Sequence, residues 1–185
     1  MHLVEEGARA GVVPRDAWLP PGKTAAVCFT IDDVHPGRST DAYEAGGDLD
    51  RGALGHVTRL QERHPELWVT LFTTADWREI SPVPTRRILA RIPFLRHRVM
   101  LAEILPEGTM RLDRHPDFAS YLAARPRTEV GLHGLYHVHA GPRIYQEFQD
   151  EDADALTAAL NQAIAIFRAA GIPIVPGMNP PGWDA

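Results

Sequence analysis

The sequence predicts an α/β fold built on a parallel sheet, and three observations carry that expectation. Short apolar runs rich in β-branched residues recur along the 185 residues. Segments with apolar residues at helical spacing lie between them. Each run also ends in a cluster of polar or turn-forming residues. Strands alternating with helices are the pattern of βα units, packed either as an open layer or as a closed barrel. A chain of this length is expected to form one domain and to bury roughly two thirds of its unfolded surface.

In chain order, residues 1–22 read as an irregular lead-in, because Pro14, Pro20 and Pro21 interrupt any periodicity. The domain proper is expected over 23–185. Ala25–Ile31 is the first predicted strand, within "TAAVCFTIDDVHPGRST" (Thr24–Thr40). Asp48–Arg63 reads as a helix, with Leu49, Leu54, Val57 and Leu60 at helical spacing and "HP" closing it. "LWVTLF" (Leu67–Phe72) is a second strand. Ser81–Arg114 is broken by prolines and supports no clear element. Asp117–Ala124 is a predicted helix that stops before Pro126, and "TEVGL" (Thr128–Leu132) is a third strand. Asp152–Ala170 is the clearest helix, with Leu156, Leu160, Ile164 and Phe167 on one face and Gly171 as its stop. Ile172–Val175 is predicted as a strand, running into "PGMNPPGWDA".

Composition narrows the function classes. The net charge of −5 argues against a general nucleic-acid binder, which would show a basic face. Lys23 is the only lysine, and "RRILARIPFLRHR" (Arg86–Arg98) gathers five arginines and His97 without an acid. That segment reads as the solvated side of a surface helix, or as a docking patch for an anionic substrate or a membrane surface. Cys28 is the sole cysteine, so no intrachain disulfide or thiolate metal cluster is expected, and its strand setting predicts a small buried hydrophobe. The N-terminus has neither a basic region nor a continuous apolar run, and no window of about 18 apolar residues marks a membrane span. A cytoplasmic location is therefore expected.

Three predicted strand exits carry chemistry. Ile31 runs into Asp32-Asp33-Val34-His35, Leu132 into "HGLYHVH", and Val175 into "PGMNPPGWDA". In parallel βα architectures the C-terminal strand ends share one face, and that face holds the active site. Asp33 and His133 are thus expected to meet across 100 positions of sequence. Consecutive residues of a regular strand point to opposite sides, so one aspartate would ligate a metal while the other acts beside it. His133 and His137 share a face if their segment is helical; if it is extended, His137 and His139 share one instead. Two imidazoles and a carboxylate are a common ligand set for catalytic Zn²⁺. The competing reading is structural: Asp32 accepting backbone N–H bonds in a turn, and partly buried histidines held by hydrogen bonds.

"TIDD" resembles the Thr-Phe-Asp-Asp motif of the polysaccharide deacetylases, the NodB-homology fold of carbohydrate esterase family 4. "HGLYH" is similar to that family's His-x-x-x-His motif, and "NPPGW" to its Arg-Pro-Pro-Gly-Trp-like third motif. Together they span Thr30 to Trp183, and "DDVHPG" resembles a divergent branch. The resemblance implies a distorted (β/α) barrel with fewer than eight strands. It implies Asp32 as general base, with Asp33, His133 and His137 holding one divalent metal ion, Zn²⁺ by preference. Pro180, Pro181 and Trp183 would line the substrate groove, and His35 is a further ligand or substrate contact at the mouth, or a turn residue. Trp183 has a second reading, as a residue covering the barrel end, and burial is the commoner fate of tryptophan. The implied reaction is hydrolysis of an N-acetyl group, less often an O-acetyl group, on an oligo- or polysaccharide.

Two departures follow from the same comparison. Asn179 stands where the family has an arginine that orients the base; an amide can hydrogen-bond Asp32 but brings no charge. The chain also stops at Ala185, before the family's later motifs and their general-acid histidine. The barrel is therefore expected to be incomplete at its C-terminus, with His35 or His139 as the substitutes for that acid. Two alternatives stay open: a non-catalytic deacetylase-like domain that binds a glycan or partner, and a metal-dependent phosphoesterase.

Overall fold

A computed structural model describes residues 21–39, 45–80, 103–138, 147–148 and 151–183. Its centre is a parallel sheet of three strands, β1 (Thr30–Val34), β2 (Val69–Thr73) and β7 (Thr128–Leu132), in that spatial order. Helix α1 (Ala53–Arg63) lies in the crossover from β1 to β2, and α2 (Pro116–Ala124) in that from β2 to β7. Parallel neighbours cannot be joined by a tight turn, so each crossover needs such an element. Helix α3 (Ala153–Ala169) follows β7 and leads to a segment that docks beside it. Leu132 and Met178 form a parallel bridge, and the Val175 N–H donates to the Val130 carbonyl at 2.9 Å.

The helices cover the sheet with one apolar core. Leu54 and Val57 of α1, Phe118 and Leu122 of α2, and Ala163, Ile166 and Phe167 of α3 pack with Val69, Leu71, Val130 and Leu132. Leu54, Leu71 and Phe167 have no exposed surface. α3 starts where the sequence predicts, because the Asp152 carboxylate accepts the Ala155 N–H at 2.8 Å. Such a cap stabilises a helix by about 1 kcal/mol. Gly171 follows its end at φ 70°, the left-handed conformation that favours glycine.

Two short antiparallel pairs lie beyond the exit of β2. In one, β3 (Asp76–Trp77) pairs with β6 (Met110–Arg111); in the other, β4 (Glu79–Ile80) pairs with β5 (Glu103–Ile104). The stretch carrying β3 also lies against the segment after β7. Ala75, Asp76 and Arg78 donate their N–H groups to the carbonyls of Gly134, Leu135 and Tyr136. Trp77 and Glu79 are thereby held against the "HGLYH" segment.

Several sequence expectations shift. The strand predicted at Ala25–Ile31 is β1 at Thr30–Val34, so it contains both aspartates rather than ending before them. Residues 24–29 are exposed, Val27 at 91 %, and so is Cys28, which is not the buried hydrophobe expected. The cause is non-local: a parallel strand extends only as far as its neighbour, and β2 begins at Val69 in register Thr30↔Thr70. The helix expected over Asp48–Arg63 breaks at Gly52 into a 3₁₀ turn, Leu49–Arg51, and α1. Ile172–Val175 forms no regular strand, since Pro173 and Pro176 lack the N–H groups a ladder requires. The Arg86–Arg98 segment, His139 and residues 1–20 lie outside the described residues. Among the described residues no helix is long and apolar enough to cross a membrane.

Candidate metal centre

The exits of β1 and β7 place three side chains together. Asp33 Oδ1 lies 2.8 Å from His133 Nε2 and 2.9 Å from His137 Nε2. One ligand atom from each of the three residues falls within 4.8 Å of the others. The expected convergence across 100 positions is therefore present.

The local route to it differs from the expectation. β1 is irregular between Ile31 and Val34, and Asp33 has φ 57°. This left-handed residue breaks the strand alternation, so Asp32 and Asp33 need not point to opposite sides. The "HGLYH" segment is not helical. It folds through left-handed residues at Gly134, φ 77°, and His137, φ 62°. Among the described residues only four non-glycines have positive φ, and two of them are candidate ligands. Each costs about 1–2 kcal/mol, and such strain concentrates at functional sites.

A second layer of residues orients the rings. His133 Nδ1 lies 2.7 Å from the main-chain oxygen of Asn179, and His137 Nδ1 lies 3.3 Å from Glu79 Oε2. Both imidazoles thus face an acceptor at each nitrogen. A neutral imidazole carries a single N–H, so without another cation each ring would have to be charged to satisfy both. A metal ion resolves this conflict. Bare Nε2 atoms would then be free to ligate, and the Nδ1–H groups would stay on Asn179 and Glu79, the usual arrangement of ligating histidines. The carboxylates of Asp32, Asp33 and Glu79 also outnumber the two imidazoles, an excess that a divalent cation offsets. On both grounds the residues present fit a metal.

The electrostatics follow from the same contacts. Burial pushes the Asp33 carboxyl up, but the hydrogen bonds and charges of His133 and His137 hold it well below the usual carboxylate range. Burial pushes His137 down, yet its bonds to Asp33 and Glu79 raise it to about 9. Glu147 is raised by burial, partly offset by three backbone N–H donors.

Asp32 sits beside the cluster. Its Oδ2 accepts from the Asn179 side-chain amide at 2.8 Å, while Oδ1 is buried with no hydrogen-bond partner among the described residues. Asn179 therefore holds the candidate base through its side chain and a candidate ligand through its main chain.

The residues expected to contact substrate are placed differently. His35 has no exposed surface; its ring stacks on Trp77 at 4.1 Å and its Nδ1 accepts the Gly37 N–H at 3.1 Å. Buried, it does not line the mouth; its bond to Gly37 matches the alternative expectation of a turn residue. Trp77 in turn stacks on His137 at 4.2 Å. Pro180 is half-buried; Pro181 is buried near Gly134, where an added Cβ would come within 2.7 Å of its Cγ. The Trp183 side chain lies outside the description. Sequence reasoning missed Trp77, Glu79 and Glu147. The first two stand two apart in an extended stretch, which puts them on one face, but no motif marks them. No family model, curated protein or solved structure matches this chain.

Proposed function

We propose that the chain is a metal-dependent hydrolase that removes acetyl groups, N-acetyl before O-acetyl, from a carbohydrate. The observation that carries this reading is the meeting of Asp33, His133 and His137 beside an Asp32 carboxylate with one buried, unpartnered oxygen. The resemblance of "TIDD", "HGLYH" and "NPPGW" to the deacetylase motifs supports it. The proposed fold is a distorted (β/α) barrel with fewer than eight strands. Its support is the spatial order β1, β2, β7 and then the Met178 segment, which follows chain order as a singly wound sheet does.

Asp33, His133 and His137 would hold the ion, with Zn²⁺ the best match to two imidazoles and one carboxylate. Bound there, Zn²⁺ supplies Lewis-acid polarisation of an acyl oxygen and brings the pKa of a water to around 7. The rest falls to the chain. The Asn179 carbonyl and Glu79 keep both Nε2 atoms free to ligate. Asp32 Oδ1 accepts the proton of the attacking water, and the Asn179 amide fixes the direction in which it accepts. Burial of Trp77 and His35 beneath His137 keeps water off that side of the ring.

The test measures bound metal and acetate release from acetylated oligosaccharides. Wild type should carry close to one metal ion per chain. Asp32→Asn should retain it and lose acetate release by about 10²–10⁴-fold, the range for a general base. His133→Ala should lose both. Stoichiometric metal with no acetate released from any acetylated substrate would replace the hydrolase with a glycan- or partner-binding domain. Turnover of phosphate esters instead would assign phosphoesterase chemistry.

A further inference from the structure

The "HGLYH" segment presents an unusual backbone account. Its carbonyls at 134, 135 and 136 receive the N–H groups of Ala75, Asp76 and Arg78. Its N–H groups at 135, 136 and 137 point the other way and converge on a single side chain. Glu147 Oε1 accepts from Leu135 at 3.0 Å and Tyr136 at 2.9 Å, and Oε2 accepts from Leu135 and His137 at 3.1 Å. The carboxylate is buried, 7 % exposed, and Phe148 beside it is buried as well. Consecutive N–H groups folded through left-handed residues make an anion-binding concavity, and here the anion belongs to the chain itself.

We infer that Glu147 is a positioning residue for the metal centre: by filling this cradle it fixes the turn that aims His137 Nε2 at Asp33. This rests on the metal-site reading above. Three features make a carboxylate the group required. It is an acceptor only, with enough lone pairs for four N–H contacts, whereas a glutamine would turn an NH₂ donor towards the same N–H groups. Gly134 leaves the space, since a Cβ there would lie 2.1 Å from Glu147 Oε2. His137, last of the three donors, holds a left-handed φ of 62° that nothing else on the N–H side supports among the described contacts. Glu147 is no ligand itself, because the cradle engages both of its oxygens.

The experiment titrates Zn²⁺ into the metal-free full chain against a chromophoric chelator, for wild type, Glu147→Ala, Glu147→Gln and His137→Ala. Circular dichroism monitors the fold, and each titration is repeated with added formate. Removing an orienting partner of a ligating histidine typically weakens binding about 10–100-fold, and that loss is expected for both Glu147 variants. Formate fits the emptied cradle and should restore affinity to Glu147→Ala in a saturable way, while leaving wild type and Glu147→Gln unchanged. Co²⁺ in place of Zn²⁺ should show an altered visible spectrum in Glu147→Ala that returns towards wild type with formate. Affinity within twofold of wild type in Glu147→Ala would overturn the inference, as would a loss that formate cannot restore in a folded variant. Failure of wild type to bind Zn²⁺ would overturn it together with the metal centre. Wild type that binds Zn²⁺ and shows formate rescue but releases no acetate would remove only the deacetylase reading.

Discussion

Asn179 acts through two atoms that mutation can separate. Its main-chain oxygen holds His133 Nδ1 and survives any substitution, while its side-chain amide holds Asp32 and does not. On the proposed function, Asn179→Ala should therefore leave Zn²⁺ affinity within about twofold of wild type and lower the turnover number tenfold or more, since the proposed base, left free to rotate, forfeits part of a roughly 10²–10⁴-fold contribution. Parallel loss of metal and turnover would show instead that the side chain shapes the ligand set. The site's titration gives a second prediction. His137 rises from 6.5 to about 9 in the folded metal-free chain, so its contribution to stability is complete below pH 6.5 and is lost as pH climbs through 9. Asp33 is lowered from 3.8, so its contribution is present above 3.8 and is lost as pH falls towards its depressed folded value. The metal-free protein should accordingly melt highest between about pH 4 and 6.5 as far as this pair decides. Zn²⁺ affinity should rise with pH up to about 9, because the ion displaces the His137 proton. Calorimetry in buffers of different ionisation enthalpy checks that proton release, and metal uptake without any released proton would contradict the assigned contacts.

At the scale of elements, the strand exits were legible and their shapes were not. β7 coincides residue for residue with the predicted strand Thr128–Leu132, whose last three residues are buried. β1 starts five residues later than the predicted strand and ends three later, because its limits depend on where β2 starts, a fact carried by Val69 and not by Ala25. The site followed the same division. Asp32, Asp33, His133 and His137 stood out as residue types at strand ends, whereas their convergence relies on left-handed backbone at Asp33 and His137 that spacing alone does not encode. Glu79 and Glu147 escaped notice since each acts through a contact 10 or more positions away in sequence, the nearest being the bond from the His137 N–H to Glu147. Gly134 is where this element is most exposed to test. Gly134→Ala adds a Cβ at φ 77° and drives it into the Glu147 carboxylate and Pro181. The left-handed penalty alone is about 1–2 kcal/mol, so the variant should lose at least that much stability in urea and bind Zn²⁺ more weakly than wild type. Unchanged affinity in Gly134→Ala would detach the cradle from the ligand geometry.

At the scale of the whole molecule, the candidate centre is a cross-link between the first and third parallel strands. Asp33 lies next to the end of β1, His133 directly follows β7, and the two strands lie on either side of β2 in the sheet. Within the sheet these exits are joined only by way of β2, so an ion bound by both would tie the outer strands together in the folded state alone. A ligand with no affinity for the unfolded chain stabilises by about 2.7 kcal/mol at a free concentration one hundred times its dissociation constant. For a chain of this size each kcal/mol shifts the melting temperature by roughly 2–4 °C. Zn²⁺ at that excess should therefore raise Tm by about 5–10 °C, and a chelator should reverse the gain. The gain should vanish in His133→Ala and persist in Asp32→Asn, because the first removes a proposed ligand and the second only the proposed base. A rise of equal size in His133→Ala would mean that the ion stabilises the fold from some other place, and the strand-end convergence would then have to be explained as buried ion pairing without a metal.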